Sequence, residues 1–124
     1  MADAVHNPPH YNSRPDGMEC IELVEMLPFC EGNAVKYIWR CDHKGSRSQD
    51  LAKARWYVER AKHDPTGGTL TVEDLCDDKL LAALARATGG FKDRNIASAL
   101  SAIVTGNFDF ALKCIEALEG ESSP

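Results

Sequence analysis

Helix breakers divide this chain into short segments, and their spacing constrains its fold more than any other feature. Pro28, the polar stretch 42–48, Asp64-Pro65-Thr66-Gly67-Gly68, Gly89-Gly90 and Gly106-Asn107 interrupt it in turn. Between them apolar residues recur three and four positions apart, the period of an amphipathic helix. No strand-like alternation of useful length appears. The pattern predicts an all-α fold of about six helices. They fall near 18–27, 33–41, 49–64, 72–88, 93–105 and 108–119.

Residues 1–17 read as an irregular arm, rich in Pro, Asn, His and Gly, with Pro8-Pro9 forcing extension. Residues 18–64 form a helical core, 65–119 a helical extension packed on the same domain, and 120–124 a fraying tail. Asp16 is placed to cap the first helix, and Thr71 with Asp74 to form a capping box. Gly89-Gly90 reads as a helix stop. Val35, Ile38 and Trp39 supply the apolar face of the second helix, and Leu51, Ala54, Val58 and Ala61 that of the third. Phe108, Leu112 and Ile115 do the same for the last.

At 124 residues and 44% hydrophobic content, the chain suits one domain with a packed core. Its net charge of −5 argues against general binding to duplex DNA or to anionic membranes. The charge is uneven. From Glu31 to Lys62 eight basic residues stand against four acidic ones. A local basic surface of this kind receives a small phosphorylated ligand without attracting polyanions in general. The five cysteines show no C-x-x-C pair and no zinc-ligand spacing. With no signal pattern and no apolar run of membrane-spanning length, they predict a reducing cytoplasm and thiols used as small core residues.

Familiar phosphate motifs are absent: there is no GxxxxGK[ST], no GxGxxG and no nucleophile elbow. His6, His10, His43 and His63 lack a helical metal-site spacing. Two polar stripes remain. Asn33, Lys36, Tyr37 and Arg40 share one face of the second helix, and Asp50, Lys53 and Tyr57 one face of the third. Folded as a hairpin, these helices bring Lys36, Arg40, Lys44 and Lys53 together as phosphate ligands. Tyr11, Tyr37 or Tyr57 would stack on a base, and His10-Tyr11 would close over the site from the arm. Asp50 and Glu22 are the candidate catalytic carboxylates, and Glu22 with Glu25 could hold Mg²⁺ from adjacent helical turns. The plainer alternatives are a solvated helix face paired with Glu19, Glu22 and Glu25, and tyrosines that serve as core or interface aromatics.

A string of spaced motifs carries a family resemblance. It contains Asn7-Pro8-Pro9-His10-Tyr11, then Gly17-Met18-Glu19-Cys20-Ile21-Glu22 and Phe29. Gly32-Asn33-Ala34-Val35-Lys36-Tyr37, Arg40 and Lys44-Gly45 follow, and the string closes on Asp50-Leu51-Ala52-Lys53-Ala54-Arg55-Trp56-Tyr57 and Glu59. This order resembles the phage family of SaV-like, nucleotide kinase-like proteins, a domain of unknown function (DUF3310). The resemblance runs from about His6 to Arg60 and leaves 66–124 uncovered. It implies a bacteriophage protein working in the host bacterial cytoplasm, nucleotide binding and an oligomeric state.

Three function classes follow. A nucleoside monophosphate kinase would use Lys36, Arg40 and Lys53 to neutralise phosphate, with Glu22 and either Glu25 or Asp50 holding Mg²⁺. A non-catalytic protein would use the same basic stripe to sequester a nucleotide signal as an anti-defence device, or would inhibit a host protein through its C-terminal helices. A metal-dependent nucleotide pyrophosphatase would need a second acidic motif beyond Glu22-x-x-Glu25, and none is evident. The large Phe29, Trp39 and Trp56 side chains predict a homo-oligomer, a dimer by default, with the site near a subunit boundary.

Overall fold

The computed structural model describes residues 14–42, 46–64, 70 and 72–121. It is all-α. The helices are α1 (Ile21–Val24), α2 (Phe29–Arg40), α3 (Arg47–Lys62), α4 (Val72–Leu75), α5 (Asp78–Gly89), α6 (Arg94–Val104) and α7 (Phe108–Gly120). No strand occurs among the described residues.

Two hairpins make the body of the fold. In the first, α2 packs along α3; in the second, α6 packs along α7. The hairpins meet through α3 against α7 and α2 against α6, while α5 lies on α6 and touches α1. Lys62 pairs with Asp109 at 2.5 Å and Arg47 with Glu121 at 3.6 Å, so α3 and α7 run antiparallel. The apolar stripes face inward as their periods require. Val35, Ile38 and Trp39 of α2 and Leu51, Ala54, Val58 and Ala61 of α3 are buried in one core with Ile96, Leu100, Ile103, Ile115 and Leu118. Helix α6 buries Ile96, Ala97, Ala99, Leu100, Ala102, Ile103 and Val104, and keeps Arg94, Ser98 and Ser101 on its one polar side.

Four local features depart from the pattern in the sequence. The expected helix 18–27 shrinks to the single turn α1, because Gly17 turns the chain at φ +75° and Pro28 ends the segment. Pro28 then occupies the N-cap position of α2, which starts at Phe29, four residues earlier than Asn33. Asp16 does not cap α1; its carboxylate accepts from the Met18 N–H at 3.1 Å and pairs with Arg14 at 2.7 Å. The expected helix 72–88 is two helices. Asp77 interrupts it by taking the N-cap of α5, where its side chain accepts from the Lys79 and Leu80 N–H groups. Thr71, the other half of the expected capping box, lies outside the described residues.

Asp93 and Asn107 cap α6 and α7 in the same way as Asp77 caps α5. Gly106, at φ +81°, provides the left-handed residue between α6 and α7, and the Asn107 N–H reaches back to the Ala102 carbonyl at 2.8 Å. The five cysteines are all free thiols, with Cys20, Cys41 and Cys114 buried, Cys30 half-buried and Cys76 exposed. Burial pushes the Cys20 and Cys41 thiols up to about 12, which leaves them inert as nucleophiles.

Candidate functional site

The α2–α3 hairpin gathers most of the predicted site residues on one face. Tyr37 and Tyr57 stack, with centroids 6.0 Å apart and planes 12° from parallel. The Lys36 Nζ stands 4.9 Å from the Tyr37 ring centre and the Lys53 Nζ 5.3 Å from it, so two ammonium groups flank one ring. Tyr57 is the hub of the aromatic group. Phe29 meets it edge-on at 6.0 Å and Trp56 at 5.0 Å. The Arg60 guanidinium lies 5.9 Å from the Trp56 ring centre. Phe29 is 74% exposed and Trp56 57%.

Charge pairing divides the cations of this hairpin into two kinds. Arg40 pairs with Asp50, Arg47 with Asp42 and Glu121, Arg55 with Glu119, and Lys62 with Asp109. Lys36, Lys53 and Arg60, the cations beside the rings, make no ion pair among the described residues. No carboxylate among the described residues lies within ion-pair distance of them.

A cleft of about 220 Å³ opens beside this face, at the elbow between α1 and α2. Val24, Leu27 and Phe29 make its apolar side, and Asn33 and Lys36 its polar side. The Asn33 side-chain amide donates to the Phe29 carbonyl at 2.9 Å. A second cleft, of about 290 Å³, lies between the end of α5 and the α6–α7 hairpin, where Ser98, Ser101 and Thr105 line it. Its one cation, Arg94, already donates to the Thr88 and Phe91 carbonyls.

Residues 5–59 match the family model described as a protein of unknown function, DUF3310. No curated protein and no solved structure matches the chain. The DUF3310 segment takes in α1, α2 and most of α3, with Lys36, Tyr37, Lys53 and Tyr57 inside it. Helices α4 to α7 lie beyond it.

The remaining predicted site residues of the DUF3310 segment are placed as follows. Arg40 and Asp50 join the same hairpin as an ion pair at 3.5 Å, with Asp50 only 3% exposed. Glu22 points elsewhere. One of its oxygens accepts from the Glu19 N–H at 2.6 Å and the other from Arg86 of α5 at 3.2 Å. Glu25 follows α1 and is exposed. Both oxygens of Glu22 thus accept hydrogen bonds within the fold, and no group of three metal-capable side chains occurs among the described residues. His10, Tyr11 and Lys44 lie outside the described residues. Phe29, Trp56 and Arg60 were not among the predicted ligand residues. The i, i+4 spacing of Trp56 and Arg60 is the sequence signal that marks them.

Proposed function

We propose that this chain is a phage nucleotide-binding protein acting in the cytoplasm of the bacterial host, and that Lys36, Tyr37 and Lys53 form its binding site. One observation carries the proposal: two lysines with no ion pair among the described residues flank a single aromatic ring. A nucleotide presents a flat base and a phosphate, and such a group offers a stacking surface and charge for both. The neighbouring cleft, with Asn33 and Lys36 on its polar side, gives the ligand a second wall. The phage setting rests on the motif string from Asn7 to Glu59.

Capture fits this site better than phosphoryl transfer. A kinase needs carboxylates free to hold Mg²⁺ or to orient the nucleophile. Asp50 is buried against Arg40, and Glu22 is engaged by Glu19 and Arg86. The test is a panel of nucleoside mono-, di- and triphosphates, measured for binding and then for product. Binding with the ligand recovered intact is the expected result. Turnover of a bound nucleotide would restore the kinase reading, and no binding across the panel would remove the site.

A further inference from the structure

The aromatic and basic face extends past the Lys36–Tyr37–Lys53 group, farther than one nucleotide needs. We propose that its ligand is a short single-stranded oligonucleotide, about two or three nucleotides long. This deepens the nucleotide-binding reading above and rests on it.

The face holds two ring-and-cation stations. In the first, Lys36 and Lys53 flank Tyr37. In the second, Arg60 lies over Trp56. Tyr57 joins them, stacked on Tyr37 at 6.0 Å and edge-on to Trp56 at 5.0 Å, so the ring centres of the two stations lie within about 11 Å. Each station pairs a π-surface with a cation that makes no ion pair among the described residues. A single strand repeats base and phosphate in the same alternation, and its unpaired bases offer their faces for stacking. A mononucleotide would fill one station and leave the half-exposed Trp56 and the Arg60 charge unused. A duplex hides its base faces, and the net charge of −5 opposes a long polyanion. The expected footprint is therefore short and single-stranded.

Binding to the full-length protein can be measured with thymidine monophosphate, the thymidine di- and trinucleotides, a longer oligothymidylate and a duplex. Quenching of Trp56 fluorescence gives the readout, since Trp39 is buried; calorimetry gives it for variants that lack Trp56. Affinity is expected to rise about tenfold or more from the mononucleotide to the trinucleotide and then to level off. Trp56→Ala and Arg60→Ala are expected to abolish that rise, and Lys53→Ala to weaken every ligand. All three positions are exposed, so circular dichroism should show the fold unchanged. Equal affinity for mono- and trinucleotide would overturn the oligonucleotide ligand and leave nucleotide binding standing. A rise that survives both Trp56→Ala and Arg60→Ala, or equal binding of the duplex, would overturn it as well. No binding of any ligand would remove both readings.

Discussion

The Arg14 guanidinium lies over the Trp39 ring, 5.0 Å from its centre. The same group stands 5.0 Å from the Phe91 ring centre. Its Nη1 donates to the Ala87 carbonyl at 3.0 Å and its Nη2 to the Arg86 carbonyl at 2.9 Å. Asp16 balances the charge at 2.7 Å. One buried side chain thus donates to two carbonyls in the last turn of α5, one of them shared with the Gly90 N–H, and covers the largest core aromatic. It also ties the DUF3310 segment to helices beyond it.

Arg14→Ala is therefore expected to cost about 3 kcal/mol, since it removes charge-assisted bonds to two carbonyls and strips a ring of its cover. Arg14→Lys should recover little, because one ammonium cannot reproduce the forked contact. Urea denaturation checks both. A loss below about 0.5 kcal/mol for the alanine variant would mean that the contact is incidental.

Gly90 supplies the space for that guanidinium. Its φ of −90° suits any residue, but a Cβ there would coincide with the Arg14 side chain. Gly90→Ala is expected to destabilise the wild-type background by about 1–3 kcal/mol. In an Arg14→Ala background the space is open, and the same change should cost far less. A double-mutant cycle in thermal denaturation measures the difference, and simple additivity of the two losses would refute the coupling.

These contacts mark what the sequence could and could not reveal. The apolar stripes of α2 and α3 follow from a 3.6-residue period, so their buried faces were legible. So were the Lys36–Tyr37 and Lys53–Tyr57 stripes, because helical spacing fixes which side chains share a face. Gly89-Gly90 read as a glycine C-cap, and Gly90 is the C-cap of α5; nothing in the sequence marks Arg14, more than seventy residues earlier, as a donor to the same helix end. Trp39 read as apolar surface awaiting a second subunit, yet Arg14 and Phe91 cover it within one chain. Periodicity is local, and these pairings depend on how distant helices meet. Asp77 was legible in principle: Asp is a preferred N-cap, and it outcompetes continuation of the helix from α4.

Glu31 gives a prediction in pH. It sits in the first turn of α2, 3% exposed. Burial pushes its carboxyl above the usual carboxylate range; its own backbone N–H pulls it back, and Asp64 adds to the rise. The folded chain therefore binds this proton more tightly than the unfolded chain. The associated stability is fully present below the ordinary value of 4.5 and is lost as pH rises through the raised value. Glu31→Gln has no such loss. It is expected to raise Tm at neutral pH, with the gain shrinking as the solution is acidified. A gain that is constant with pH, or a loss at neutral pH, would contradict this account.

Arg40 and Lys53 share a hairpin face but should fail differently. Arg40→Ala strands the buried Asp50 carboxylate and is expected to cost about 1–3 kcal/mol of stability. Lys53→Ala removes an exposed cation with no ion pair among the described residues, and stability should stay within about 0.5 kcal/mol. Its nucleotide affinity should fall about tenfold or more. Calorimetric titration beside thermal melts separates the two roles. Lys53→Ala with undiminished affinity would exclude it from the site.

Assembly is the last expectation, and the structure narrows where it would occur. Trp39 no longer argues for a partner subunit, since it is covered within the chain. Phe29 still does. It is 74% exposed at the start of α2, beside the apolar wall that Val24 and Leu27 give the elbow cleft. An exposed ring next to an apolar recess is suited to burial against a second copy, and a two-fold dimer is the commonest closed arrangement. Pairing there would leave Lys36 at the edge of the contact, which places the binding face near the subunit boundary. Sedimentation equilibrium at micromolar concentration should give a mass above 13.6 kDa that rises with concentration. Phe29→Ser should bring it down to the monomer value with the helical spectrum unchanged. A wild-type mass of 13.6 kDa throughout the range would end the dimer, and would leave Phe29 as an open ring at the edge of the binding face.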